Sequence, residues 1–91
     1  MNLLEENRLI INEVDEQLVH LFEKRMHAVE GILQYKQENN LPVLDSSREA
    51  ANIERGKGLL EDQKLSAYFE KWYQMTMDIS KEYQKDLMKK K

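Results

Sequence analysis

No cysteine occurs in the 91 residues of this chain. That removes disulfides, zinc–thiolate sites and thiol nucleophiles from consideration. Proline appears once, as Pro42, and glycine three times, as Gly31, Gly56 and Gly58. Nothing before Gly31 therefore interrupts a helix. No run approaches the ~18 continuous apolar residues of a membrane span. Glu5 and Glu6 follow close behind Met1 with no apolar stretch, so no signal peptide is expected and a cytoplasmic location fits. Net charge is −3 and the pI about 5.4, which speaks against general nucleic-acid binding. The tail Lys89-Lys90-Lys91 reads as a solvated helix end, where cations suit the dipole. The two histidines, His20 and His27, fall two helical turns apart, too far to share a metal, and read as solvated surface residues.

What the chain does have is helical periodicity. A first helix is predicted from Leu3 to Asn39. Its stripe runs Leu4, Ile11, Leu18, Arg25, Ile32 at one heptad position and Asn7, Val14, Leu21, Ala28, Tyr35 at the next. A third position reads Arg8, Asp15, Phe22, Val29, Lys36. Most of this suits the core-facing side of a bundle helix. The exceptions are cations. The first 45 residues hold nine acidic and four basic residues, and three of the four basic ones, Arg8, Arg25 and Lys36, fall on the stripe. Arg8 and Lys36 lie at its edges, where their stems can be covered while their heads reach water. Arg25 is mid-stripe and mid-helix, and an unpaired charge there is costly. It calls for an anionic partner, from another helix or from a ligand.

Length sets a further constraint. A compact globule of this size is about 30–35 Å across, whereas a helix of about 36 residues is ~54 Å long. The remaining residues cannot cover such a helix, so a second chain is expected, most simply in a homodimer. The whole of 1–91 reads as one domain.

Asn39-Asn40-Leu41-Pro42 ends the first helix, with proline disfavouring helical geometry at Leu41. Ser46 with Glu49 forms a capping-box pattern, with Asp45 as the alternative cap, for a second helix from Ser47 to Glu61. Arg48 has no capping role. Gly56 and Gly58 weaken the second half of this helix, where a break is expected to be easiest. Ser66 is the expected N-cap of a third helix over Ala67–Met88. The stripe of that helix is Phe69, Trp72, Tyr73, Thr76, Ile79, Ser80, Tyr83, Gln84 and Leu87. Ser80 and Gln84 stack one turn apart on it. One reading is a serine bonded back to its own helix and a glutamine at a dimer rim; the other is a polar pair facing a pocket. The fold class is thus all-α, with three helices and a very long first one.

The residues that fit this packing least are Arg8, Arg25, Lys36 and Arg48 as cations, Glu49 as a carboxylate, and Ser80 and Gln84 as neutral hydrogen-bonding groups. Together they suit recognition of a compact polyanion, most plausibly a dicarboxylate, which arginine grips through paired hydrogen bonds. No nucleophile–base pair, glycine-rich phosphate loop or metal-ligand cluster is evident, so neither metal nor cofactor is expected. An enzyme built this way holds and polarises its substrate rather than attacking it.

The order and spacing of Arg8, Arg25, Lys36, the Asp45-x-x-Arg48-Glu49 cluster and Ser80-x-x-x-Gln84 resemble the all-helical AroQ-class chorismate mutases. The likeness covers almost the whole chain. It includes Val14-Asp15-Glu16 and the Pro42-Val43 turn, and the chain is shorter by about a residue between Arg55 and Tyr68. The resemblance implies an intertwined homodimer of three-helix chains, each of two active sites drawing on both. It implies that Arg25 binds a substrate carboxylate and that Arg8 reaches another from the other subunit. By the same likeness, Lys36 and Gln84 hydrogen-bond the ether oxygen. Glu49, with the backbone at Asp45, holds the ring hydroxyl, and Arg48 and Ser80 complete the lining. The implied reaction is the Claisen rearrangement of chorismate to prephenate, on the route to phenylalanine and tyrosine, in a monofunctional form. Lys81 departs from the pattern, because relatives are apolar there, and it puts the pocket wall in question. Isochorismate-pyruvate lyase or aminodeoxychorismate mutase activity on the same fold is an alternative. So, from another class, is a non-enzymatic helical dimerisation module whose stripe charges set register.

Overall fold

The computed structural model describes residues 1–43 and 46–89, with Ser46 described through its backbone alone. Asp45, Lys90 and Lys91, and the side chain of the expected Ser46 cap, lie outside the described residues. Among these residues all regular structure is helical. Helix α1 spans Leu3–Glu38, α2 spans Ser46–Leu59, a single 3-10 turn spans Gln63–Leu65, and α3 spans Ser66–Lys89. The all-α class and the very long first helix are therefore present. The chain divides into two compact units, Met1–Ile32 and Leu33–Lys91.

The first unit is helical from Leu3 onward. Asn2 caps it: its Oδ1 accepts the Glu5 N–H at 2.9 Å, while its carbonyl accepts the first helical bond from Glu6. Glu5 and Glu6 put negative charge on the positive end of the dipole. Val29 is buried and Arg25 and Met26 are half-buried, but the rest of the unit is exposed. Leu21 and Phe22 keep 59 % and 53 % of their surface open. His20 and His27 are both exposed, as solvated surface residues should be.

In the second unit, α1 ends in a Schellman motif. Asn40 adopts φ 55°, the Leu41 N–H bonds the Lys36 carbonyl at 2.8 Å, and the Asn40 N–H bonds the Gln37 carbonyl. Asparagine tolerates this left-handed geometry better than most residues. Pro42 follows where the helix cannot continue. Helix α2 runs unbroken through Gly56 and stops one residue after Gly58, short of the expected Glu61. The stop has a local cause. Gln63 Nε2 donates to the carbonyls of Lys57 and Leu60 at 3.0 and 2.7 Å, satisfying acceptors that further helix would have used. Asp62 then caps the 3-10 turn by accepting the Lys64 N–H, and Ser66 is already helical (φ −54°, ψ −47°). Ser66 is thus the first residue of α3 rather than its cap.

Helices α2 and α3 pack together. Phe69 lies against the backbone of Gly56 and stacks on Tyr73, with ring centroids 5.4 Å apart. Lys57 bridges the pair of helices through Glu70 at 3.0 Å. Leu33, Met77, Ser80 and Gln84 are the buried residues described in this unit. Along α3 the covered positions include Phe69, Tyr73, Thr76, Met77, Ser80, Tyr83, Gln84 and Leu87, which recur at helical spacing. Met77 belongs to this stripe in place of Ile79, which is exposed together with Trp72.

Candidate functional site

Lys36 is the C3 residue of the Schellman motif. Its carbonyl is taken by Leu41, and its Nζ donates to the Val43 carbonyl at 3.1 Å. Both ends of this residue are thus tied to the connection that follows the helix. Its half-buried ammonium sits beside the negative end of the helix dipole, which favours a cation.

The first turn of α2 presents Arg48, exposed, and Glu49, half-buried. Glu49 Oε1 meets Lys81 Nζ of α3 at 2.8 Å, and Lys81 also reaches Asp78 Oδ1 at 3.3 Å. The hydrogen bond that Lys81 donates to Glu49 is the first cause, ahead of Asp78, of an ammonium held above its ordinary value of 10.5. Asp78 is held below its ordinary value, first by the side-chain hydrogen bond from Gln74 and then by Lys81.

Ser80 and Gln84 are 6 % and 9 % exposed. Ser80 Oγ donates to the Thr76 carbonyl at 3.0 Å, the back-bonded arrangement. Gln84 is buried within the single chain. Its Nε2 donates to the Ser80 carbonyl at 3.3 Å, and its buried Oε1 has no hydrogen-bond partner. A primary amide can donate twice and accept twice, so most of this one is unused.

The first unit carries Arg8, exposed, and Arg25, half-buried. Within the second unit the fold joins Glu49 to the turn of α3 that holds Ser80 and Gln84, through Lys81. The role of Lys81 as the partner of Glu49 was not legible, because the two are far apart in sequence and no spacing rule links them; the i, i+3 pairing with Asp78 was the only local signal. A shallow open depression lined by Glu70, Lys71, Gln74, Met75 and Asp78 shares no residue with the predicted set. All its walls come from α3, and one helix cannot enclose a ligand. Among the described residues no three histidine or acidic side chains are grouped to hold a metal, and no helix is long and apolar enough to cross a membrane.

The second unit therefore offers a half-buried ammonium, a carboxylate matched by a cation, and a buried amide with unused hydrogen-bonding capacity. This equipment can orient and polarise a polar ligand, and it includes no activated nucleophile. No curated protein and no solved structure matches the chain. The sequence model of the family described as chorismate mutase type II matches residues 7–85, a span that begins just before Arg8 and ends just after Gln84. By that match, the chain belongs to the chorismate mutase type II family.

Proposed function

We propose that this chain catalyses the rearrangement of chorismate to prephenate, as one functional domain over 1–91 acting in a homodimer. The observation that carries the reading is Gln84, a buried amide whose Nε2 gives one N–H to the Ser80 carbonyl and keeps a second, where the family resemblance puts a hydrogen-bonding group to the substrate. The unpartnered Oε1 is an acceptor that only a ligand O–H or N–H could serve, while the second N–H of Nε2 is one that a substrate oxygen can accept.

The reaction is an isomerisation. The ether C–O bond of the enolpyruvyl group breaks as a new C–C bond forms, and no atom leaves. It needs no base, nucleophile or cofactor. It needs the dianion folded into the reactive conformer, which removes orientational cost, and positive charge where the ether oxygen gains electron density. In this reading Lys36 supplies that charge and Gln84 turns an N–H to the same oxygen. Arg25 grips one carboxylate, and Arg8 of the second chain grips the other. Glu49, with the Asp45 backbone, receives the ring hydroxyl, and Arg48 and Ser80 complete the lining. The product feeds phenylalanine and tyrosine synthesis in the cytoplasm.

Open apolar side chains support the second copy. Leu4, Ile11, Leu18, Leu21 and Phe22 are all exposed in the single chain. A helix that leaves such a stripe in water is incomplete alone. The test is to incubate purified protein with chorismate, follow its loss in the ultraviolet and resolve the products. Prephenate is the expected product. An inert protein, or one that releases pyruvate from isochorismate while sparing chorismate, overturns the proposal.

A further inference from the structure

We infer that Lys81 is a positioning residue for this reaction, gripping the Glu49 carboxylate across the α2–α3 seam so that it points to the substrate hydroxyl and its charge is partly offset. The inference rests on the chorismate rearrangement proposed above.

Three observations support it. Glu49 and Lys81 come from different helices and meet at 2.8 Å with only 22 % and 33 % of their side chains exposed. By comparison, the Glu70 side of the Lys57–Glu70 bridge is 50 % exposed, and the more open an ion pair, the less its geometry is enforced. Second, Lys81 follows Ser80 directly and lies three residues before Gln84, so its grip brings Glu49 to the turn that holds the buried polar pair. Third, Asp78 takes the other side of the ammonium at 3.3 Å, which restrains Lys81.

The electrostatic consequence is direct. A bare carboxylate in a site for a dianion repels its ligand, and the repulsion grows as water is excluded. A carboxylate paired with an ammonium, even one shared with Asp78, keeps an accepting oxygen for a hydroxyl at a smaller penalty. Lys81 therefore acts on binding more than on the chemical step.

The test uses Lys81→Met, Lys81→Arg, Glu49→Gln and the Lys81→Met/Glu49→Gln double variant in the full chain, each checked for helicity and oligomeric state. Lys81→Met keeps the apolar stem, and Lys81→Gln substitutes for it should the methionine variant fail to fold. Lys81→Met is expected to raise KM for chorismate by about tenfold with kcat changed less than about threefold, and Lys81→Arg to stay near wild type. In the Glu49→Gln background the Lys81→Met cost should vanish, because the two residues act as one unit. An unchanged KM in Lys81→Met, or an equal cost in both backgrounds, overturns the inference while leaving wild-type turnover, and with it the proposed function, intact. A wild-type protein inert to chorismate removes both.

Discussion

A Cβ on Gly56 would sit 2.6 Å from both Cε2 and Cζ of Phe69, closer than any side chain can approach. Gly56 is therefore what lets α2 and the aromatic start of α3 close on each other. Gly58, in the same helix, has nothing within 4 Å of its notional Cβ. The two glycines should respond oppositely to alanine. At Gly58 alanine should stabilise by up to about 1 kcal/mol through helix propensity. At Gly56 the same gain is offset by overpacking of about 1–3 kcal/mol, because Phe69 must leave its stack on Tyr73. Thermal unfolding of the two variants should show Gly58→Ala above wild type and Gly56→Ala below it.

Gln84→Leu should separate stability from activity. Leucine fills a similar volume and removes a buried oxygen that bonds to nothing, at the expense of one 3.3 Å hydrogen bond to Ser80. Folding should be unchanged or improved by about 1 kcal/mol. Turnover of chorismate should fall about 100-fold or more if the amide stabilises charge in the transition state. A variant that is both less stable and fully active would place Gln84 among the packing residues.

These contrasts show which parts of the molecule could be read in advance. The helices were legible because their signals are local: helical periodicity with no proline or glycine up to Gly31, proline at 42, and serine–glutamate spacing at the start of α2. Their ends were less so. Asn40 makes its turn with a left-handed backbone, and α2 stops where the side chain of Gln63 folds back on it. Ser80 and Gln84 stood out as polar residues on an apolar stripe, and both are buried. Met77 could have been recognised from its spacing to Tyr73, Ser80 and Gln84. The pairing of Glu49 with Lys81 could not, since a contact between helices depends on how they pack and not on either local pattern.

The ion pairs on α2 and α3 predict a stability profile flat near neutrality and falling at both extremes. Folding raises the Lys81 ammonium, first through Glu49, and the Lys57 ammonium, first through Glu70. A raised ammonium contributes fully below its ordinary 10.5, and the contribution is lost as pH climbs through the folded-state value. Asp78 is lowered, first through Gln74, so its contribution is complete above its ordinary 3.8 and is lost as pH drops through the folded-state value. Melting temperature followed into alkali should fall less steeply in Lys81→Met than in wild type, and least in Lys81→Met combined with Lys57→Met. In acid, Asp78→Asn should flatten the corresponding limb. An alkaline slope identical in all three lysine backgrounds would assign the loss to other groups.

Arg8 and Arg25 test the sharing of sites between chains. Arg8 is exposed in the single chain and Arg25 half-buried, and in the proposed dimer each site takes Arg25 from one copy and Arg8 from the other. Arg8→Ala and Arg25→Ala proteins should each fold and each lose most turnover, since each removes a carboxylate-binding charge and little packing. A heterodimer of the two has one site with both arginines and one with neither. It should therefore recover about half of wild-type activity, and an equimolar mixture after full subunit exchange about a quarter. Were both arginines of a site supplied by the same chain, every site in the mixture would still lack one, and exchange would restore nothing. Measuring chorismate loss before and after exchange, with heterodimer formation verified by differential tags, distinguishes the two arrangements.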